Sequence, residues 1–372
     1  MKVVLLAGAS SIHTIRWANG LNAAGIDVHV ISQHPPLESM HQNVTLHLVP
    51  FHGVLGYFMM VPAVKKLLGK IKPDLVNAHY ASGYATTARL VGYHPWLLSV
   101  WGSDVYDFPY FSPLHKYWVN SNLHSADKIA STSHCMAKQT HSLTQGLGEI
   151  DITPFGVDIE YYKQKSIPLE VNEPVSRPFV IGTVKLMAHK YGIDILLESF
   201  ALLKNQLMSS HPDVAKDLRL RLVGDGPQTG ELAELAEQLN ITQHVQFVGR
   251  VNHLEVPDEL AKLDIYVALS RLDSESFGVA IVEASAANRP VVVSDAGGLP
   301  EVVLDGITGL VVPKENPQAA ANALESLVLN PELRVKMANA GRQHVQENYS
   351  WDNCIENMLV VYRKTVSDYK AQ

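Results

Sequence analysis

Cysteine is nearly absent from this chain of 372 residues. The two that occur, Cys135 and Cys354, lie far apart and outside any zinc-binding spacing. A disulfide scaffold and a zinc ribbon are therefore excluded. Since chains of the reducing cytoplasm make little use of disulfides, we expect a cytoplasmic protein.

Long hydrophobic runs are also missing. No stretch approaches the roughly 18 apolar residues of a membrane span. Lys2 and the short apolar run of residues 3–7 are soon followed by Ser10, Ser11 and His13, so the run is too short for a signal peptide and suits a buried first strand.

The chain has no excess of basic residues either. The net charge is −7, which makes nucleic acid an improbable partner class. Residues 1–170 hold 12 Lys and Arg against 11 Asp and Glu, whereas the remainder holds 18 against 26. The two parts therefore present different surfaces, as two domains with different ligands would.

The glycine fingerprint of dinucleotide-binding proteins is absent too. The first strand is followed by Gly8-Ala9-Ser10-Ser11 in place of G-x-G-x-x-G. An NAD-dependent dehydrogenase is therefore disfavoured.

What the chain does contain is a regular alternation of short β-branched runs and helical patterns. Strands are predicted at residues 2–7, 28–32, 74–78, 96–100, 128–131, 179–183, 219–223, 245–248, 265–268 and 291–293. Helices are predicted at residues 14–24, 192–205, 229–239, 279–287 and 351–369. Such alternation predicts an α/β fold of parallel, doubly wound sheets.

The alternation pauses at residues 166–178, a polar stretch with three prolines that is typical of a linker. We therefore predict two Rossmann-like domains, at residues 1–170 and 171–350. The final helix, 351–372, is a candidate to pack back on the first domain.

The most informative segment is residues 274–287, in which Glu275 and Glu283 lie eight apart around Phe277 and Gly278. Gly278 permits a sharp turn, and a helix is predicted from Val279 onward. A helical span of that length would separate the carboxylates by about 12 Å, which suits the distance from ribose to hexose in a nucleotide sugar. Backbone amides at the helix start suit phosphate. Two solvated glutamates are the alternative, which the apolar flanks disfavour.

This segment resembles the E-x7-E motif of family 4 retaining glycosyltransferases. The order and spacing of residues 289–293, 297–301 and 305–309 are similar to the continuation of that family. The resemblance implies the GT-B fold, with two Rossmann-like domains facing each other across a cleft. It also implies retaining, hexosyl-type transfer from a nucleotide-diphosphate sugar in bacterial surface polysaccharide or lipopolysaccharide synthesis. The alternatives are a nucleotide-sugar epimerase or a phosphorylase of the same fold, and a nucleotide-sugar-binding protein without turnover.

Lys185 and Lys190 occupy the loop between a predicted strand and helix. Two ammonium groups there suit a diphosphate and charge on a departing nucleotide. The family often has arginine at the first of these two positions and lysine at the second. Lysine at the first position keeps the charge, but it cannot make the bidentate hydrogen bonds to phosphate that an arginine guanidinium makes. We predict catalytic roles for Lys185, Lys190 and Glu275, with no metal ion and no cofactor; ordinary surface lysines are the alternative.

Two weaker segments complete the predicted donor site. Gly224 follows a strand, and the family places the nucleotide beside the equivalent loop. Arg250 is a candidate to stack on the base. A tight turn and a surface arginine are the alternatives. Together with Glu283, Phe277, Gly278 and Val279, these residues form the predicted donor-binding set.

The predicted acceptor side belongs to the first domain. Ser10, Ser11, His13 and Arg16 follow its first strand, where the family commonly has a glycine-rich loop. A purely structural role for Arg16 is equally open.

A second acceptor-side segment resembles the family's His-Gly-x-Asp, but Trp101 stands where histidine is usual. A catalytic histidine cannot be assigned there, and Trp101 is a candidate to pack on a sugar. Asp104 and His79 are further candidates, with His79 more typical of a satisfied polar group.

Residues 51–72 combine an apolar half with Lys65, Lys66, Lys70 and Lys72. This pattern suits peripheral contact with the inner membrane and a glycan or lipid-linked acceptor. A core helix with a solvated lysine face is the slightly favoured alternative.

Overall fold

The computed structural model describes residues 1–170 and 177–371. It divides into two compact units, Met1–Phe155 with Trp351–Gln372 and Gly156–Ser350. We call them unit 1 and unit 2.

Unit 1 is built on a parallel sheet with the strand order β3-β2-β1-β4-β5-β6-β7 in its described residues. The strands are rich in Val, Ile and Leu, and most of their residues are buried because helices cover the sheet. Their bounds are β1 (Lys2–Leu6), β2 (Asp27–Ser32), β3 (Thr45–Leu48), β4 (Leu75–His79), β5 (Trp96–Val100), β6 (Lys128–Ser131) and β7 (Ile150–Ile152).

The helices of unit 1 follow its strands as crossover connections. They are α1 (Ile12–Ala23), α2 (Gly53–Met59), α3 (Val61–Ile71), α4 (Gly83–Val91), α5 (Ser103–Tyr106), α6 (Pro113–Ser125) and α7 (His134–Leu143), with a 3-10 turn at Phe108–Tyr110.

Unit 2 repeats this architecture with the strand order β10-β9-β8-β11-β12-β13, again parallel throughout the described residues. The strands are β8 (Phe179–Val184), β9 (Leu218–Val223), β10 (Val245–Gly249), β11 (Ile265–Ala268), β12 (Val291–Ser294) and β13 (Gly309–Val312).

The helices of unit 2 supply most of its core, with α9 and α15 packed side by side over the sheet. The helices are α8 (Ile159–Lys165), α9 (Ile193–Ser210), α10 (Pro212–Asp217), α11 (Thr229–Gln238), α12 (Val256–Ala261), α13 (Val279–Ala286), α14 (Leu299–Val302), α15 (Pro317–Leu329) and α16 (Pro331–Tyr349). Further 3-10 turns lie at His189–Tyr191, Thr242–His244 and His253–Glu255.

The last helix, α17 (Trp351–Lys370), belongs to unit 1 although it follows unit 2 in the chain. It packs on α1, where the rings of Trp17 and Trp351 lie 5.2 Å apart. A Cβ on Gly20 of α1 would lie 2.6 Å from Trp351 Nε1, so only glycine permits this approach. At the other end, the Tyr362 hydroxyl donates to Asn77 Oδ1 at 2.9 Å.

The division between the units falls earlier than the predicted boundary at residues 170 and 171. The reason is that α8 packs on unit 2, with Lys165 Nζ 3.2 Å from an Asp258 carboxylate oxygen and the Tyr161 hydroxyl donating to Leu254 O. Arg342 also donates to the Ser166 hydroxyl at 2.7 Å. Residues 171–176 of the predicted linker lie outside the described residues.

Candidate active site

The sheet of unit 2 has a topological switch point between β8 and β11. After β8 the chain adds β9 and β10 on one side of that strand. It then returns to add β11, β12 and β13 on the other side of β8. Loops that leave neighbouring strands in opposite directions open a crevice where α/β proteins bind ligands. Lys185 follows β8 directly, and Glu275 lies in the loop between β11 and α13.

Lys185 and Glu275 form an ion pair at this switch point. The Lys185 Nζ atom lies 2.9 Å from Glu275 Oε1, and the side chains are only 13% and 10% exposed. Burial by itself would lower the pKa of Lys185, but the Glu275 carboxylate, Tyr266 and Tyr191 together raise that pKa above its ordinary value. The ammonium group therefore keeps its proton across the physiological range.

Tyr191 lies between the two predicted lysines. Lys185 Nζ is 4.6 Å and Lys190 Nζ 4.8 Å from the centroid of its ring. Both distances suit cation–π attraction. The Tyr191 ring thus contacts both ammonium groups and links Lys190 to the ion pair of Lys185 and Glu275 in one cluster.

Arg271 fixes this cluster from the β11 side. Its guanidinium pairs with both oxygens of Asp194 at 2.9 and 2.5 Å. It also donates to His189 O at 2.8 Å, and its backbone N–H donates to Lys190 O at 2.9 Å. Arg271 and Asp194 were not predicted from the sequence, because no local pattern pairs residues 77 positions apart. Tyr191 was not predicted either, although it lies directly after Lys190.

Two glycines are required by close backbone approaches around the cluster. Gly224 has φ of 135°, and a Cβ there would lie 1.9 Å from Lys185 O. A Cβ on Gly298 would lie 2.2 Å from Ser276 O, directly after Glu275. Gly298 N–H also donates to Glu275 O at 3.0 Å. These turns therefore set the position of Lys185 and Glu275.

Glu283 lies in the second turn of α13 and is buried. Its Oε1 is 3.7 Å from His253 Nε2, a contact that the sequence did not indicate. The helix begins at Val279 because Gly278 takes a left-handed conformation with φ of 96°. Phe277 anchors the loop, with its ring 5.6 Å from that of Tyr349.

Arg250 is exposed and follows β10. Its loop is joined to the Gly224 turn by a hydrogen bond from Gly224 N–H to Gly249 O of 2.9 Å. The Thr229 hydroxyl and Gly226 N–H lower the pKa of Asp225, and the charge of Arg250 adds to the effect. Arg250 therefore lies at the same sheet edge as Lys185.

The predicted acceptor residues of unit 1 meet at the carboxyl edge of its own sheet, where β1 and β4 form the switch point. Trp101 is the centre of an aromatic cluster. Its ring lies 4.3 Å from His79, 6.1 Å from His13 and 5.4 Å from Phe155, and His13 stacks on Phe155 at 4.3 Å.

His79 is fully buried in this cluster, and burial lowers its pKa from 6.5 to about 3. Its Nε2 lies 3.2 Å from Asn77 Oδ1, which also accepts from Tyr362. Because that oxygen only accepts, the neutral ring carries its proton on Nε2.

Asp104 is buried and holds three backbone groups. One carboxylate oxygen accepts from Gly102 N–H at 2.8 Å and Trp101 N–H at 3.2 Å, and the other accepts from Ala81 N–H at 2.7 Å. Burial raises its pKa, although these hydrogen bonds lower it in part. Asp104 thus joins the loops after β4 and β5 and positions Trp101.

The loop after β1 carries the remaining predicted residues. Ser10 is exposed, and Ser11 stands at the N-cap of α1 with its N–H donating to Gly8 O at 3.1 Å. Arg16 is half-buried on α1, one turn after His13.

Within residues 1–170 and 177–371, no group of three or more His, Cys, Asp or Glu side chains is arranged to hold a metal ion. Over the same residues, no helix has the length and apolar character needed to cross a membrane.

Comparison with known families matches both units. The family model described as glycosyl transferases group 1 matches residues 168–344, and the model described as glycosyl transferase 4-like matches residues 2–133. Both models describe glycosyltransferases and together match most of the chain, so the chain belongs to the glycosyltransferases. The predicted family and fold class, with two Rossmann-like domains, are thereby confirmed.

Individual relatives of this glycosyltransferase are distant. An uncharacterized glycosyltransferase of Methanocaldococcus jannaschii is 25% identical over 91% of this chain and 90% of its own. The N-acetyl-alpha-D-glucosaminyl L-malate synthase of Bacillus anthracis is 23% identical over 98% and 96%. The structure of Anabaena HepE with UDP-glucose has a TM-score of 0.72 at 18% identity, over 100% of this chain and 99% of HepE.

Proposed function

We propose that this glycosyltransferase moves a hexosyl group, with retention, from a nucleotide-diphosphate sugar to a hydroxyl of a glycan or lipid-linked acceptor. The observation that carries the proposal is the cluster of Lys185, Lys190 and Glu275 around Tyr191 at the switch point of unit 2. The UDP-glucose bound to HepE supports a donor of this class.

In the proposed reaction the bond between the anomeric carbon and the diphosphate oxygen breaks, and its electron pair goes to that oxygen. The acceptor hydroxyl oxygen bonds to the anomeric carbon and its proton is released. Positive charge develops on the sugar and negative charge on the diphosphate. The ammonium groups of Lys185 and Lys190 stabilise the negative charge. Since they supply this charge, we propose a reaction that needs no metal ion or cofactor.

Glu275 and Glu283 take the sugar and ribose hydroxyls in this proposal. When a donor arrives, Glu275 is held by Lys185, so its carboxylate already has a fixed orientation. A preoriented acceptor of hydrogen bonds loses little freedom on binding. Retention itself is carried over from the resemblance to family 4.

We further propose a role in bacterial surface polysaccharide or lipopolysaccharide synthesis, at the cytoplasmic face of the inner membrane. The family resemblance supports the pathway. The aromatic cluster around Trp101 offers flat apolar rings of the kind that pack on sugar faces.

A panel of nucleotide sugars scored by thermal shift, followed by nucleotide release with candidate acceptors, tests the proposal. Glu275→Gln and Lys190→Ala are expected to lower turnover at least about tenfold, because Lys190 stabilises the diphosphate charge and Glu275 orients the sugar and pairs with Lys185. Glu234→Gln and Lys336→Ala, on exposed faces of α11 and α16, are the matched controls.

Wild-type turnover by both site variants would refute the site assignment. Conversion of the donor alone into an epimer would identify an epimerase instead. Donor binding without nucleotide release in every acceptor mixture would identify a binding protein.

A further inference from the structure

Unit 1 exposes a dense group of large apolar side chains on two neighbouring elements. Leu55 and Met59 of α2 are 72% and 60% exposed, and Tyr110, Phe111, Leu114 and Tyr117 are 60 to 71% exposed. We call α2 with residues 108–118 the apolar surface. Contiguous exposure of this kind marks an interaction site, since single exposed residues are normal but groups are not.

The two elements of the apolar surface are fixed side by side. The rings of Phe58 in α2 and Trp118 in α6 lie 5.2 Å apart. Both elements are also tied to neighbouring residues of α4, because Thr87 donates to Tyr57 O at 2.7 Å and Trp118 Nε1 donates to the Thr86 hydroxyl. The two elements that carry the exposed side chains are therefore adjacent and held in place by α4.

The charged side chains on and next to the apolar surface are mainly lysines, with one exposed carboxylate, Asp107, directly before residue 108. Residues 39–73 and 108–126 contain no Asp or Glu. They carry exposed lysines at Lys65, Lys66, Lys70 and Lys116. Apolar and aromatic side chains flanked mainly by lysines suit a bilayer interface with anionic headgroups.

A second copy of the chain fits this face less well. A twofold contact would set the same four lysines against one another with only Asp107 as a neighbouring carboxylate, because the same patch meets itself. A lipid phosphate removes that difficulty.

We propose that the apolar surface docks on an anionic lipid bilayer, with its aromatic and aliphatic side chains entering the interface and the lysines contacting headgroup phosphates. This proposal deepens the membrane contact of the proposed function, but the binding itself does not depend on sugar transfer. None of its residues belongs to the predicted catalytic or donor-binding set.

Vesicle co-sedimentation of the full chain tests the proposal. We expect binding to phosphatidylcholine vesicles that contain about 30% phosphatidylglycerol, and little to phosphatidylcholine alone, since the lysines are attracted to anionic headgroups. The double variant Leu55→Ser/Phe111→Ser is expected to bind at least about fivefold more weakly. The double variant Lys65→Gln/Lys66→Gln is expected to bind the anionic vesicles more weakly, and its binding should depend less on salt concentration.

The control is Met208→Ser/Val360→Ser, which removes two exposed apolar side chains elsewhere and is expected to bind as the wild type does. Analytical ultracentrifugation of the same proteins completes the test. Absence of vesicle binding, or equal loss in the control, would overturn the proposal. A dimer that Leu55→Ser/Phe111→Ser dissociates would show instead that the face joins two copies. Nucleotide release with a water-soluble acceptor tests the transfer reaction separately.

Discussion

At the scale of single residues, the residues predicted from the sequence are held in position by other side chains that were not predicted. Tyr191 shows this most clearly, since it contacts both Lys185 and Lys190. In unit 1, by contrast, two predicted residues contact each other, since His79 is buried against Trp101.

Replacing Tyr191 by Leu is expected to lower kcat/KM roughly 5- to 30-fold, because two cation–π contacts of about 0.5–1 kcal/mol each are lost. Tyr191→Phe keeps the ring and is expected to retain most activity. Calorimetry should show that Tyr191→Leu weakens binding of a nucleoside diphosphate but not of the nucleoside. Equal behaviour of the Phe and Leu variants would contradict a positioning role for the ring.

His79 makes the stability of unit 1 depend on pH. The pKa of His79 is about 3 in the folded state and lies below the ordinary value of 6.5. Between these two values, His79 is protonated in the unfolded chain but neutral in the folded chain. This contribution to stability is present above pH 6.5 and is lost progressively as the pH falls toward 3. Between pH 7 and 5 the loss is about 2 kcal/mol.

When the pH falls from 7 to 5, the free energy of unfolding should decrease in both proteins. We expect the decrease in His79→Gln to be about 2 kcal/mol smaller than in the wild type. Urea unfolding followed by tryptophan fluorescence measures it, with His41→Gln as the exposed control. The signal belongs to unit 1, which contains all five tryptophans: Trp17, Trp96, Trp101, Trp118 and Trp351. An unchanged pH dependence in His79→Gln would contradict the low pKa.

At the scale of elements, glycines decide how closely neighbouring segments approach. Gly20 on α1 and Gly69 on α3 are both helical, yet their surroundings differ. A Cβ on Gly20 would meet Trp351 and Ile355 within 2.7 Å, whereas a Cβ on Gly69 would meet nothing within 4 Å.

The same substitution should therefore have opposite effects at the two positions. Gly20→Ala is expected to destabilise unit 1 by about 1–3 kcal/mol, since α17 must shift. Gly69→Ala is expected to stabilise it by about 0.5–1 kcal/mol through helix propensity. Urea unfolding by tryptophan fluorescence compares them, and destabilisation of equal size in both would argue against the α1–α17 contact.

The sequence predicted the buried strands well because hydrophobic runs bounded by turns leave little choice. Strands β5, β6 and β11 have the predicted bounds, and most others differ by one residue at an end. Strands β3, β7 and β13 were missed, since they lie toward the sheet edges and are only partly buried.

Part of the site could be predicted for a similar reason. Lys185, Lys190 and Glu275 were found because each lies in a segment with its own local pattern. The partners that hold them, such as Arg271 with Asp194 and His253 with Glu283, are joined only by the packing of distant loops. The roles assigned to the site residues stay predictions.

At the scale of the whole molecule, the chain leaves unit 1 at Phe155 and returns to it at Trp351. The returning helix α17 buries six apolar side chains: Cys354, Ile355, Met358, Leu359, Val361 and Tyr362. Burial of such side chains contributes about 1.5–3 kcal/mol each, which together approaches the whole stability of a domain.

A chain that ends at residue 350 is therefore expected to lose the fold of unit 1 but keep that of unit 2. Tryptophan emission should shift to the red, and limited proteolysis should degrade residues 1–155 while residues 177–350 stay protected. Native emission from the shortened chain would show that α17 contributes little.

The return of α17 also sets the order in which a ribosome can complete the two units. Residues 1–155 of unit 1 are synthesised first, yet the last helix of unit 1, α17, is translated only after every residue of unit 2. At about 5–20 residues per second, the nascent first unit waits on the order of 10–40 s with the groove for α17 uncovered. During that interval the part made first is the part most exposed to chaperones and to aggregation, and unit 2 is the first to be finished.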